Sequence, residues 1–292
     1  MIIHLIDGTY ELFRHFYGAR RANSGADTRF GGVRGVLHGV LAMFETGGTH
    51  VGVATDHIIE SFRNRLWPGY KTGFGIDPVL WSQFHPLEDG LAAMGVVVWP
   101  MVELEADDAL ASAAWLARSN TQVEKICIWT PDKDLAQCVV ESRVVQIDGR
   151  RGVIRDQAGV QAKFGVLPAS IPDYLALVGD SADGYPGISG FGAKSAAAIL
   201  RRFGRIEEIP GDPAEWRAGL LNGGTLARRL SEQRDLALLF KKLATLRVDA
   251  PLFDSVDQLR WQGPTPSFAK FAESIEAPEL VRRAELAAAR HF

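Results

Sequence analysis

The chain has 292 residues, enough for one large domain or two ordinary ones, and its 47% hydrophobic and 23% charged content is that of a globular protein. A net charge of -3 argues against a protein that coats nucleic acid through bulk positive charge. No apolar run approaches the ~18 residues of a membrane span, the opening "MIIHLIDG" has neither a basic n-region nor a small-residue cleavage site, and Cys127 and Cys138 fit no zinc or disulfide pattern; a cytoplasmic protein with no membrane partner is expected.

In chain order, the apolar run Ile2–Ile6 predicts a strand that ends at Asp7, and helical spacing follows over Tyr10–Tyr17. The Gly-rich "ANSGADTRFGG" predicts a mobile loop, Val33–Glu45 a helix, and Val51–Thr55 a second strand ending at Asp56. "GYKTGFGIDP" predicts another loop, Pro78–Met94 a helix and Val96–Trp99 a strand. Glu105, Asp107 and Asp108 then open a helix over Ala106–Ser119, where acids suit the positive end of the helix dipole. The strand Lys125–Thr130 leads to Asp132 and Asp134, with a short helix after them. Val144–Ile147 is a further strand, and "QIDGRRGVIRD" predicts a hairpin.

Strands alternating with helices imply an α/β fold with a mainly parallel sheet flanked by helices. Beyond Asp156 the strand signal fades, and segments such as "PAEWRAGLLNG" and "LARRLSEQRDLALLFKKLATL" have helical spacing. Two domains are therefore expected, residues 1–156 and a helical unit over residues 157–292.

Nine acids, Asp7, Asp56, Glu105, Asp107, Asp108, Asp132, Asp134, Asp180 and Asp183, fall in five clusters where strands or helices end or begin. Each cluster alone is also what a turn or a helix cap provides. In an open parallel sheet, however, ligands bind beyond the carboxyl ends of the strands, so these acids should converge on one crevice. Crowded carboxylates raise one another's pKa unless cations separate them. With no His or Cys read beside them as a zinc ligand, oxygen ligation favours Mg²⁺ or Mn²⁺, and two such ions about 3.5–4 Å apart suit phosphodiester chemistry. Setting aside nine carboxylates from a net charge of -3 leaves about +6 for the remaining surface.

A second signal is "GISGFGAKSAAAIL", where Gly190 and Gly192 precede a helix with Lys194 and Ser195 in its first turn. Backbone N–H groups at a helix N-terminus bind phosphate, and Lys194, Arg201, Arg202 and Arg205 extend the positive charge. Such contacts hold a duplex without reading its sequence.

Together these segments resemble the 5′ nuclease family, which includes the 5′–3′ exonuclease domain of bacterial DNA polymerase I, phage 5′ exonucleases and flap endonucleases. "LIDGTYELFR", "ATDHIIESFRNRLWPGYKTG", "ELEADDALAS", "TPDKDLAQCV" and "LVGDSADGYPGISGFGAKSAAAIL" are similar to five family motifs, in the same order. The resemblance implies a PIN-like α/β nuclease domain followed by a helical domain with a helix–three-turn–helix DNA-binding motif. It implies metal-dependent 5′–3′ exonuclease and flap endonuclease activity at DNA 5′ ends, flaps and nicks, in replication or repair, with RNA primers in RNA–DNA hybrids as further substrates. Asp7, Asp56, Asp107 and Glu105 are then nearest one ion, and Asp132, Asp134 and Asp183 nearest the other. Asp108 and Asp180 are outer ligands, and Lys71 and Arg63 contact the scissile phosphate. Tyr10 and Arg14 meet the terminal nucleotides, and the Gly190–Gly192 hairpin resembles the family's K⁺ site.

Some departures carry expectations of their own. Gly184 stands where an Asn is common, which predicts a looser loop, and between Tyr70 and Met94 there is little room for a long arch. The absence of polymerase motifs predicts a stand-alone, monomeric nuclease. A PIN-type endoribonuclease and a non-catalytic, structure-specific DNA-binding protein are the alternative readings.

Overall fold

The computed structural model describes residues 1–26, 28–216 and 223–291. Asp27, in the first predicted loop, and residues 217–222, within the predicted helix "PAEWRAGLLNG", lie outside them.

Six strands form one sheet: β1 (Ile2–Asp7), β2 (His50–Asp56), β3 (Val97–Met101), β4 (Lys125–Trp129), β5 (Val144–Asp148) and β6 (Val153–Arg155), in the order β3-β2-β1-β4-β5-β6. The first five are parallel, and β6 runs antiparallel to β5 with Ile147 opposite Ile154. The central strands are apolar without alternation because helices cover both faces. On β2, every residue from His50 to Thr55 is buried. Chain order reverses between β1 and β4, which places the open crevice beyond their carboxyl ends.

One face of the sheet is covered by helices Gly8–Ala22, Gly31–Glu45 and Phe84–Ala93, and the other by helix Ala106–Ala117. The helix expected over Pro78–Met94 is two helices, Pro78–Trp81 and Phe84–Ala93. The break frees Gln83 to turn inward, where its Oε1 accepts the Gly32 and Val33 N–H groups at 2.9 and 3.2 Å and caps helix Gly31–Glu45. Similarly, the long C-terminal helical run divides at Gln233 into Gly223–Glu232 and Arg234–Ala244.

A second core gathers helices Ile171–Val178, Ala193–Phe203, Gly223–Glu232 and Arg234–Ala244 around Trp216, Tyr185 and Phe240. The chain then returns to the sheet. Trp261 stacks on Phe44 at 4.0 Å between ring centroids, and Phe268, Ile275, Leu280 and Ala284 fill the same core as Leu37 and Val40. This return corrects the PIN-like class expected from the motifs. The sheet's core is completed by residues from the far end of the chain, so the architecture extends through both halves and is not a PIN sheet with an appendage.

Candidate metal centre and nuclease site

Asp7 ends β1 and caps the helix that follows, its Oδ1 accepting the Tyr10 N–H at 2.8 Å and its Oδ2 the Thr130 hydroxyl at 3.0 Å. Asp56 ends the neighbouring β2, and its Oδ1 accepts the Ala106 N–H at 2.8 Å, fixing the start of helix Ala106–Ala117 against the sheet. Asp132 and Asp134 follow β4, and the Asp134 N–H donates to Asp132 Oδ1 at 2.9 Å, so the second carboxylate turns inward while the first stays exposed. From the helical half, Asp180 and Asp183 lie on a loop closed by paired Asp180 and Tyr185 backbone bonds of 2.8 and 3.0 Å. One carboxylate oxygen each from Asp134, Asp180 and Asp183 lies within 4.8 Å of the others.

Lys71 ties the two halves together. Its Nζ lies 2.8 Å from Glu105 Oε2 and 3.1 Å from Asp183 Oδ1, and its backbone N–H donates to the Asp183 carbonyl at 3.0 Å. The loop holding Asp183 is also held by Trp67, whose Nε1 donates to the Gly184 carbonyl at 3.0 Å. Gly184 has φ +82, and a Cβ there would stand 2.0 Å from the Gly69 carbonyl oxygen. The expectation of a looser loop is thus reversed: glycine is what allows the two segments to touch.

Arg63 differs most from its expected place. It is 1% exposed, and all five of its N–H donors are engaged. Nε donates to the Leu243 carbonyl at 2.8 Å, Nη1 to Glu105 Oε1 and Asp108 Oδ2 at 2.9 and 2.7 Å, and Nη2 to Asp108 Oδ1 and the Thr245 carbonyl at 2.7 and 3.3 Å. No donor is left for a phosphate. Asp108 is equally saturated, accepting also the Glu105 and Arg247 N–H groups at 3.0 and 2.9 Å, which removes it from the outer metal ligands. Ser61 and Tyr70, not singled out in the sequence, hold Glu105 through hydroxyls at 2.6 and 3.3 Å. Lys133, between the two acids of "DKD", pairs with Asp180 Oδ2 at 2.7 Å.

The remaining acids are crowded and poorly compensated. Burial pushes Asp7 up to about 7, with Asp56 and Asp132 adding repulsion. Burial pushes Asp183 up to about 6, against the pull of Lys71. Asp107 and Asp134 rise well above the carboxylate range, through burial and then the neighbouring Asp132. Glu105 goes the other way, because Lys71 and Arg63 together outweigh its burial. Asp134 Oδ1 is buried with no hydrogen-bond partner among the described residues. An all-oxygen donor set, an orphaned buried oxygen and uncompensated negative charge are what a hard divalent cation would satisfy.

These shifts make a prediction. Folded carboxyls with raised pKa values bind protons more tightly than the unfolded chain, so their stabilising contribution is full below the unfolded pKa near ~4 and is lost as pH rises through about 7. For Asp7 alone the loss is on the order of 4 kcal/mol. Divalent ions that bind the folded site reverse it. The rise in Tm on adding Mg²⁺ or Mn²⁺ should therefore be large at pH 8 and small at pH 5, measured by thermal unfolding with EDTA as reference. An increment independent of pH would contradict this electrostatic picture.

The predicted DNA-contact residues fall in two places, the Gly190–Gly192 hairpin with the helix after it, and the start of helix Gly8–Ala22, where the Tyr10 N–H meets the Asp7 carboxylate. Gly190, with φ +90, and Gly192 border an open cavity of about 720 Å³ together with Lys194, Ser195 and Arg229. Ser195 caps its helix, exchanging hydrogen bonds of 3.0 and 3.1 Å with the Gly192 backbone. Arg229 donates to the Ser189 carbonyl at 3.2 Å, so a fixed cation already stands at this hairpin. Arg201 and Arg202 are exposed farther along the helix, and Arg201 reaches the Gly165 carbonyl at 3.4 Å. Tyr10 is half-buried, and Arg14 is paired with Glu11.

Residues 2–165 match the family model described as 5′-3′ exonuclease, N-terminal resolvase-like domain, and residues 166–267 match 5′-3′ exonuclease, C-terminal SAM fold. The chain belongs to the 5′-3′ exonuclease family of nucleases. It is 35% identical to the flap endonuclease Xni of Edwardsiella ictaluri, over 71% of this chain and 79% of that protein. It is 31% identical to the DNA polymerase I of Bacillus caldotenax over 97% of this chain, and spans only 33% of that protein's length. Among solved structures, zinc-bound T5 5′-exonuclease aligns with a TM-score of 0.66 at 18% identity, over 95% of this chain and all of that one. Flap endonuclease-1 from Methanococcus jannaschii aligns with a TM-score of 0.62 at 13% identity, over 100% of this chain and 93% of that one. These matches run through both halves and replace the PIN-like class with the 5′-nuclease architecture.

Proposed function

We propose that the carboxylate crevice hydrolyses phosphodiester bonds near DNA 5′ ends, as a 5′–3′ exonuclease and flap endonuclease acting on flaps, nicks and duplex ends in replication or repair. The observation that carries this reading is the convergence of acids from the ends of β1 and β2, the segment after β4, the start of helix Ala106–Ala117 and the loop of the helical half, with Lys71 bridging Glu105 and Asp183. Asp7, Asp56, Asp107, Asp132, Asp134 and Asp183 would hold two divalent ions, Mg²⁺ or Mn²⁺, with Asp180 outside them. Bound there, such ions supply an activated water and neutralise charge on the departing oxygen.

The protein's own groups do the rest. Lys71 presents an ammonium at the seam between the halves, where it can meet the scissile phosphate and stabilise its added charge. Glu105 holds Lys71 in place, and Arg63 holds Glu105. Residues 1–156 would carry most of the chemistry, and residues 157–292 would add Asp183 and the grip on the duplex. The Gly190–Gly192 hairpin and Lys194 would bind backbone phosphates, with Arg229 supplying charge beside the expected K⁺ site. RNA primers in hybrids, a monomeric state and a cytoplasmic location complete the proposal; among the described residues no helix is long and apolar enough to cross a membrane.

The test is hydrolysis of a 5′-labelled flap and a nicked duplex with Mg²⁺. EDTA, Asp56→Ala and Asp132→Ala should each lower the rate by at least about a hundredfold. Robust cleavage surviving chelation, or unchanged in both variants, would overturn the assignment.

A further inference from the structure

Beside the carboxylate crevice, but outside it, two histidines and a glutamate converge. His57 follows the last residue of β2, and His85 and Glu88 lie one turn apart on one face of helix Phe84–Ala93. His57 Nδ1 is 2.8 Å and His85 Nδ1 3.6 Å from the same oxygen, Glu88 Oε2. The other carboxylate oxygen, Oε1, is taken by the Thr55 hydroxyl at 2.8 Å. The two imidazole rings lie 4.4 Å apart between centroids, and one ligand atom from each of the three residues lies within 4.8 Å of the others.

We propose that His57, His85 and Glu88 form a binding site for a borderline divalent transition-metal ion such as Zn²⁺ or Co²⁺. Two imidazoles and one carboxylate are a donor set that suits these ions and not Mg²⁺. Thr55, 3% exposed, orients the carboxylate from behind and leaves a single oxygen facing the histidines, as outer hydrogen bonds do at metal centres. The His57 backbone is anchored by its N–H to the Met101 carbonyl at 2.9 Å. The His85 side chain is 61% exposed, so it can close on an ion without repacking the core. Three protein ligands leave a further position for water.

The ligands sit at the two ends of the segment that carries Ser61, Arg63, Tyr70 and Lys71. An ion held by His57 and His85 joins those ends and should restrain everything between them. This inference stands on the cluster's own geometry and is independent of the nuclease reading.

The experiment uses the full chain with excess Mg²⁺, titrated with Co²⁺ and followed by its visible ligand-field bands, with Zn²⁺ stoichiometry by equilibrium dialysis in parallel. Wild type should bind one more Co²⁺ or Zn²⁺ ion than His85→Ala, with affinity at this site at least roughly tenfold weaker in the variant. His57→Ala should lose the same ion, and Asp134→Asn should keep it. Zn²⁺ should also slow amide exchange over residues 58–83 in wild type but not in His85→Ala. Equal stoichiometry and equal spectra in wild type and both histidine variants would overturn the proposal.

Discussion

Lys71→Ala should lower the single-turnover rate of flap hydrolysis by about 10²–10³-fold, the loss typical when one charge-stabilising group is removed from an active site. Lys71 Nζ is partly exposed at the seam, 2.8 Å from Glu105 and 3.1 Å from Asp183, so its charge faces the space where the acids converge. Its side chain is partly exposed, and Glu105 stays hydrogen-bonded by Ser61, Arg63 and Tyr70. The variant should therefore fold, and with Mg²⁺ present its Tm should stay within a few degrees of wild type. Duplex affinity measured with Ca²⁺ should change far less than the rate. A rate within about threefold of wild type would remove Lys71 from the chemistry.

Arg63→Ala should fail differently, by losing about 3–5 kcal/mol of stability, the cost of breaking a buried ion pair from one side. The substitution leaves Asp108, 0% exposed, without its cation, takes one of two cations from Glu105, 2% exposed, and removes the donors to the carbonyls of Leu243 and Thr245. Lysine should not rescue it, since one ammonium cannot replace a planar fork with five donors. Urea or thermal unfolding reads the effect directly, with a Tm depressed by on the order of 10 °C. An Arg63→Ala protein with wild-type stability and weakened DNA binding would restore the surface role that the motif suggests.

The contrast between these two cations shows where sequence reading stops. Both lie in one motif and look equivalent there. Arg63 is structural because helix Arg234–Ala244, far along the chain, brings its carbonyl end over the guanidinium. No local pattern announces such a long-range closure. For the adjacent acids Asp107 and Asp108 the information was partly present. Neighbours on a helix project about 100° apart, so both could not face one crevice; Asp108 turns into the core toward Arg63 and Asp107 toward Asp132 and Asp7.

The sheet was legible because its strands are buried on both faces and read as plain apolar runs, as "HVGVAT" does. Its acids were legible because a parallel sheet gathers ligands at its carboxyl end. In the sequence, Gly184 suggests freedom because it has no side chain, whereas its use in the fold is close contact with Gly69. His57 directly follows Asp56 but carries no local sign of a site; its partners His85 and Glu88 come from a helix whose start at Phe84 is set by the inward turn of Gln83.

The proposed activity of the crevice is the cutting of DNA beside its 5′ ends, with Lys71 joining both halves of the site. A cleavage-site map on flap, nicked and 5′-overhang duplexes with Mg²⁺ tests it most directly. Incision is expected at or within a few nucleotides of the single-strand to duplex junction, with short products from the 5′ terminus at nicks, and both should be lost in Lys71→Ala. Cuts scattered along single strands with no relation to a 5′ end or junction, or the same map from Lys71→Ala at an undiminished rate, would contradict it.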